Sequence, residues 1–313
     1  MQSTRLHNSH LILGIGELLW DMLPNGPRLG GAPANFSVMA GRLGNQAAIL
    51  SRIGRDAPGQ AAIDFLDSLP VDAGFIQVDH SRETGRVTVA FHDGEPRYTI
   101  HDPAAWDSLE LTEEWLRLAE RAAALCFGTL AQRNTVSRQT IQALVAGAPA
   151  DCIRIFDANL RFPFYTSEVI EESLDLATVV KMNDSEMVKL LAVLGLGAED
   201  LSTPKGSCAS ARRLLEEFPG LQLVAITRGS RGSLLVSRKE SDDHPGFPVK
   251  ATDTVGAGDA FTAALAHYLL RGAGLALLNE AGNRWGAWLA SQPGAMPPLP
   301  EEVLASIAAA IET

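Results

Sequence analysis

A chain of 313 residues, 46% hydrophobic and 20% charged, has ordinary globular composition and room for one large domain or two. Its 26 basic and 37 acidic residues leave a net charge of −11 without a long basic run, which argues against a nucleic-acid groove, because neutralising phosphates needs clustered cations. Cys126, Cys152 and Cys208 are odd in number and form no C-x-x-C pair, which argues against a disulfide framework or structural zinc and for a reducing cytoplasm.

The polar N-terminus leads into Leu11–Ile15, a short apolar run that reads as a buried strand, and Glu17 and Asp21 interrupt it before it could serve as a signal segment. The paired glycines Gly30 and Gly31 precede a predicted helix over Ala34–Leu43, followed by a strand over Ala47–Ile53 and a helix over Gly59–Leu69. The pattern changes at Gly85–His101. Arg86–His92 and Arg97–His101 read as two strands joined by Asp93-Gly94, a strong hairpin signal, and Val87, Val89 and Phe91 alternate with Thr88 and Ala90.

Helices are then predicted at Thr112–Ala124, Ser137–Val145, Ser167–Leu176, Asp184–Leu194 and Cys208–Glu217. Strands are predicted at Ala124–Phe127, Ile153–Phe156, Val179–Met182, Leu223–Ile226 and Ser233–Val236. The longest apolar stretch, Ala260–Leu278, carries His267 and Arg271 and reads as a buried or amphipathic helix rather than a membrane span. Uniformly apolar strands alternating with helices predict an α/β fold, a doubly wound, mostly parallel sheet flanked by helices. The hairpin and the segment around Leu18–Leu29 are expected to form a small β-sheet lid. Residues 1–17, 31–72 and 104–313 would then be the core, and 18–30 and 73–103 the lid.

The strongest local signal runs from Asp253 to Phe261. Gly256, Ala257 and Gly258 stand before an apolar helix, so uncovered N–H groups and the helix dipole would suit a transferring phosphate, and Asp259 could accept a proton from an alcohol. An acidic first turn behind a glycine-rich loop would look the same. Gly30 to Asn35, Asp157 to Arg161, Asn183 to Glu186 and Thr227 to Gly229 are further clusters, most of them at predicted carboxyl ends of strands, the edge where open α/β sheets bind ligands. No G-x-x-x-x-G-K-[ST], H-E-x-x-H or G-x-S-x-G occurs, and Gly14-Ile15-Gly16 lacks the third glycine of a dinucleotide fingerprint because position 19 is Leu.

These motifs resemble those of the ribokinase-like (PfkB) carbohydrate kinases, over nearly the whole chain. Gly30 to Asn35, with Gly44 and Gly54 after it, matches one family signature, and Asp253 to Asp259, with Ala263 and Ala264, matches the other. D-x-N-x-R and N-x-x-E stand between them as Asp157 to Arg161 and Asn183 to Glu186. The resemblance implies ATP-dependent phosphorylation of a sugar hydroxyl, with Asp259 as general base and Gly256, Ala257 and Gly258 as the anion hole. It implies sugar contacts from Asp21, Gly31, Asn35 and Arg161, with Arg97 and Tyr98 of the lid as further candidates. Asn183 and Glu186 would organise Mg2+ and the ATP phosphates, largely through water. Thr227 and Gly229 would lie along the nucleotide and Asn283 near the adenine. Asp253 and Ser291 match a region where many members hold a monovalent cation such as K+, largely by carbonyls.

Arg228 replaces a smaller or apolar residue of many members and is expected to reach solvent, the alternative being that it alters nucleotide contacts. Fructose is the leading substrate, because Arg97 to Ile100 resembles the lid of bacterial fructokinases. The alternatives are 2-keto-3-deoxygluconate, ribose and nucleosides, and the non-enzyme alternative is a sugar-binding regulatory protein. The expected setting is cytoplasmic, with a small-molecule sugar as partner, no nucleic acid, no membrane, and a homodimer through the lid. Gly30 and Gly31 are expected to hinge that lid.

Overall fold

The computed structural model describes residues 9–23, 26–92 and 95–312, with side chains outside 89–98 and 312. The first strand, β1 (Leu11–Ile15), leads into an antiparallel pair, β2 (Leu19–Leu23) and β3 (Gly26–Gly30), and then to helix α1 (Ala32–Arg42) and strand β4 (Gln46–Leu50). Next come β5 (Arg52–Gly54), α2 (Ala57–Leu66), β6 (Gln77–Asp79), β7 (Gly85–His92) and β8 (Glu95–Ile100). Alternation resumes with α3 (Glu113–Ala119), β9 (Ala124–Gly128), α4 (Thr135–Gly147), β10 (Ile153–Asp157), α5 (Ser167–Leu176), β11 (Val179–Asn183), α6 (Asp184–Val193) and α7 (Pro204–Glu217). The last elements are β12 (Leu223–Thr227), β13 (Ser233–Ser237), β14 (Ser241–His244), α8 (Ala257–Leu269), α9 (Leu275–Ala290) and α10 (Glu301–Glu312).

Eight strands form one mixed sheet in the order β14-β13-β12-β11-β10-β9-β1-β4, parallel from β4 to β12 and antiparallel at β13 and β14. Both faces are covered, so every strand residue needs an apolar neighbour, yet the two-residue period still sorts them. Leu13 and Ile15 of β1, Leu125 and Phe127 of β9, and Val224 and Ile226 of β12 join the core under α3 to α7. Ile12, Ala124, Cys126, Leu223 and Ala225 join the core under α1, α8, α9 and α10. Among the described residues, no helix is long and apolar enough to cross a membrane.

The structure corrects several predicted boundaries. The apolar run Ala47–Ile53 is two strands, because Arg52 pairs with Asp79 at 3.0 Å and Glu110 at 2.7 Å and draws β5 away from the main sheet onto β6. Ala260–Leu278 is not one helix, since the chain turns at Arg271 to Gly274 between α8 and α9. The helix predicted over Thr112–Ala124 stops at Ala119, with Thr112 capping the Trp115 N–H, and Ala124 begins β9. Helix α10, and α9 beyond Leu278, have no counterpart in the predicted elements. The strand at Ser233 runs antiparallel to β12.

A second sheet, in the order β3-β2-β7-β8, stands apart from the main one. His92 pairs with Glu95 across the hairpin, whose Asp93-Gly94 tip lies outside the described residues. Residues 73–84, expected in the lid, include β6, which pairs with β5 instead. The return to the core is fixed by Arg133, which lies over the rings of Trp106 and Phe164, 4.0 and 4.8 Å from their centroids. Its Nε and Nη2 donate to the two oxygens of Asp107, each at 2.7 Å, and both side chains are almost wholly buried. Asp107→Ala, by stranding this guanidinium, is expected to cost about 3–5 kcal/mol in urea unfolding, and replacing both residues by apolar ones less. A single-variant loss under about 1 kcal/mol would contradict this, because it is the value of an exposed pair.

Candidate active site

From β1 the chain passes first to β4 on one side and later to β9 on the other, so the order of the main sheet reverses at β1. Such a reversal opens a crevice at the carboxyl ends of the strands. Glu17 follows β1, Asp157 ends β10, Asn183 ends β11 and Thr227 ends β12, so the predicted clusters are brought to one edge. The start of α8 reaches the same edge, where Asn35 of α1 donates its Nδ2 to Asp259 Oδ2 at 2.7 Å.

Gly256 caps α8 with φ 81°, and a Cβ there would lie 2.7 Å from Ala295 Cβ, so conformation and space both require glycine. Among the described residues, the N–H groups of Gly256, Gly258 and Asp259 have no protein acceptor, whereas the Ala257 N–H closes a turn on Thr254 O at 3.3 Å. Of the three residues expected to form the anion hole, Ala257 has its N–H engaged in this turn. Burial pushes Asp259 up to about 6, and Asp157 adds to the rise. Lys181, the Asn35 hydrogen bond and Arg161 oppose it. The result is a carboxylate basic enough to take a proton and still ionised near neutrality.

Of the residues expected to contact sugar, Gly31 has φ 110°, and a Cβ there would lie 2.3 Å from the Glu17 carbonyl oxygen. Asn35, expected to contact sugar, uses its amide nitrogen on Asp259 and leaves a buried Oδ1 without a partner. Asp21 lies in β2, and burial pushes it up to about 6 while the Arg161 charge pulls it down. Arg161 is exposed and electrostatically faces Glu17, Asp21 and Asp259. Asn159, two residues earlier, is the one non-glycine among the described residues at positive φ, 38°. The side chains of Arg97 and Tyr98 lie outside the described ones.

Of the residues expected to serve ATP, Asn183 and Glu186 of N-x-x-E form a capping box. Asn183 Oδ1 accepts from Glu186 N at 2.8 Å, and Glu186 Oε2 accepts from Asn183 N at 2.9 Å. Glu186 Oε1 also accepts from Leu160 N at 3.1 Å, tying the two motif loops together. Thr227 Oγ1 lies 3.4 Å from Met182 O, and Gly229 has open space where a Cβ would be. Asn283 is buried, its amide donating to Ser233 Oγ at 2.7 Å and to Asn279 O at 2.8 Å. Asp253 spends one oxygen on Arg28 at 2.8 Å and the other on Val255 N at 3.0 Å, and Ser291 Oγ donates to Trp288 O at 2.6 Å. A cation there would rely on carbonyls.

The expectation for Arg228 is corrected. It does not reach solvent, because its guanidinium turns inward to Ser233 O at 3.0 Å, His244 O at 3.1 Å and the Asp243 carboxylate. Lys181 and Glu17 escaped the sequence reading. The signal for Lys181 was a charge inside an otherwise apolar strand, and for Glu17 its place directly after β1.

Glu17 is buried, and one of its carboxylate oxygens has no partner. Burial drives its pKa up to about 7, while N–H groups of Glu17 and Ala32 pull it down and Asp259 adds to the rise. The folded state therefore holds this proton more tightly than the unfolded chain, so the stability that it contributes is lost as pH rises from about 4.5 through 7. Glu17→Gln, free of that loss, should gain on the parent by roughly 3 kcal/mol between pH 4.5 and 8 in urea unfolding. An equal stability difference at both pH values would contradict it.

Comparison with known proteins identifies the family. Residues 26–302 match the pfkB family of carbohydrate kinases. A putative sugar kinase of Pyrococcus horikoshii, PH1459, is 31% identical over 285 residues, covering 86% of this chain and 85% of that protein. Its crystal structure with ATP superposes with a TM-score of 0.80 over 96% of this chain and 99% of that one. Probable fructokinase-7 of Arabidopsis thaliana is 28% identical over 319 residues, covering 93% of this chain and 90% of that protein. Fructokinase of Xylella fastidiosa with bound ATP, 22% identical, has the same fold, with a TM-score of 0.80 over 97% and 99% of the two chains. The chain belongs to the pfkB family of carbohydrate kinases.

Proposed function

We propose that the chain transfers the γ-phosphoryl group of ATP to a hydroxyl of a small sugar, with fructose as the leading acceptor. The observation that carries this reading is Asp259, a half-buried carboxylate held by Asn35 at the start of a helix where the N–H groups of Gly256, Gly258 and Asp259 lack protein acceptors among the described residues. Asp259 accepts the proton of the attacking hydroxyl as its oxygen bonds to the γ-phosphorus and the bond to the ADP oxygen breaks. The N–H groups at the start of α8 stabilise the equatorial oxygens, joined by the positive end of the helix dipole. Asp21, Gly31, Asn35 and Arg161 bound the sugar side, and Thr227, Gly229 and Asn283 the nucleotide side. The second sheet closes over the sugar and excludes water, and a homodimer would pair these lids.

Among the described residues, no group of three or more acidic, His or Cys side chains could hold a bare metal ion. That suits Mg2+ arriving with ATP and keeping most of its water, which Asn183 and Glu186 would hold in place. Bound there, the ion neutralises phosphate charge. A monovalent cation would take carbonyls near Asp253 and Ser291. Fructose leads because fructokinases of several plants are among the relatives. Ribose, 2-keto-3-deoxygluconate and nucleosides remain the comparison substrates.

A coupled ADP-release assay across these sugars tests the reading. Asp259→Asn should lower turnover by roughly 10² to 10⁴-fold with ATP binding little changed. Because the base works deprotonated, the parent's kcat/KM should fall as pH drops through about 6. Near-parental turnover of Asp259→Asn on every sugar would remove Asp259 from the mechanism.

A further inference from the structure

Beneath the proposed transfer site lies a buried charge for which the reading above has no use. In the register of the main sheet, Lys181 of β11 is directly opposite Asp157 of β10. The two-residue period puts both on the face covered by α8, alongside Val179 and Ile155 of that core. Lys181 Nζ donates to Asp157 Oδ1 and Oδ2 at 3.1 and 3.0 Å, and both side chains are more than nine-tenths buried. The Thr262 hydroxyl, on α8, stands 3.1 Å from Asp157 Oδ2 and 2.9 Å from Gly258 O. The ion pair is thereby tied to the first turn of that helix.

Gly258 closes the arrangement from above. A Cβ at that position would lie 2.8 Å from Lys181 Nζ, so the ammonium fills the space where any other residue would carry its side chain. Burying an ion pair commonly stabilises a fold no better than an apolar pair of the same volume. A lysine kept in such a place at the floor of a phosphate-binding turn therefore points to chemistry.

The electrostatic surroundings fit. Asp259 is faced by Asp157 from β10, Lys181 from β11, Arg161 from the loop after β10, Glu17 from the segment after β1, and the uncharged Asn35 from α1. Among these, Lys181 is the buried cation. Burial opposes its charge, and the attraction of Asp157, Asp259 and Glu186 overrides that opposition, holding its pKa above the ordinary lysine value. Without it, Asp259 would face mainly negative neighbours and would keep its proton to higher pH.

We propose that Lys181 is a positioning residue of phosphoryl transfer, clamped by Asp157 and Thr262 beneath Gly258 so that its ammonium fixes the start of α8 and keeps Asp259 in its working place and charge. This rests on the reading of Asp259 as the general base. The two members of the pair act on that base in opposite directions. Lys181→Met removes a positive neighbour and should move the acid limb of kcat/KM up by about one pH unit, a roughly tenfold loss of rate below the limb. Most of that loss should be recovered at pH 9, where Asp259 is ionised in either protein. Asp157→Asn removes a negative neighbour while keeping shape, and should move the limb down.

The test is a pH profile of sugar phosphorylation for the parent, Lys181→Met, Asp157→Asn and Asp259→Asn, each checked for folding by its melting curve. Opposed shifts of the limb are the expected result, because a merely structural pair would change stability and leave the limb where it is. If Lys181→Met does not fold, the downward shift in Asp157→Asn decides alone. Limbs unchanged in the folded variants, with Asp259→Asn inactive, would overturn the role of Lys181 and leave the base in place. Near-parental activity in Asp259→Asn would overturn both.

Discussion

The cost of holding ionised groups away from water, and the pairing that offsets it, organises this molecule. Glu17, Asp157, Lys181 and Asp259 are gathered at the carboxyl end of the central strands. A buried unpaired carboxylate gives up its charge, whereas one with a cation or donors beside it keeps that charge. Asp157 has Lys181, Asp259 has Asn35 with Lys181 nearby, and Glu17 has backbone donors with the exposed Arg161 charge as its cation. The three acids therefore differ in environment although they lie together. A base poised to take a proton can arise from that inequality alone.

The rest of the fold supplies the geometry that makes the pairing possible. Parallel strands put Asp157 and Lys181 side by side, and their common face is roofed by α8, whose first turn carries Asp259. The reversal of strand order at β1 opens the same edge and brings Glu17 and α1 to it. The small sheet is tied to this edge from its own side, where Arg28 of β3 reaches Asp253 in the loop before α8. The small sheet and the loop before α8 thus meet through a charged contact.

What could be read from the amino-acid order and what could not divide along physical lines. Uniformly apolar strands announced a sheet covered on both faces, and turns of Gly, Ala and Asn announced the two glycine-rich helix starts. The break between β4 and β5 was hidden because Ala47 to Ile53 is almost entirely apolar, and only the tertiary partners of Arg52 separate its halves. Arg228 resembled a surface residue until β13 and β14 folded back over it. Lys181 was counted as part of a strand. Its meaning depends on Asp157 in register and on Gly258 above it, relations between segments far apart in sequence.

The most direct measurement is a crystal structure of the chain with fructose, ADP, magnesium and an aluminium fluoride species in place of the transferring phosphoryl group. The fluorides should accept hydrogen bonds from N–H groups at the start of α8, with one sugar hydroxyl about 3 Å from the Asp259 carboxylate and in line with the metal fluoride. An aluminium fluoride seated away from Gly256 to Gly258, or a sugar hydroxyl in line but presented to a group other than Asp259, would contradict the assignment of this helix start as the place of transfer.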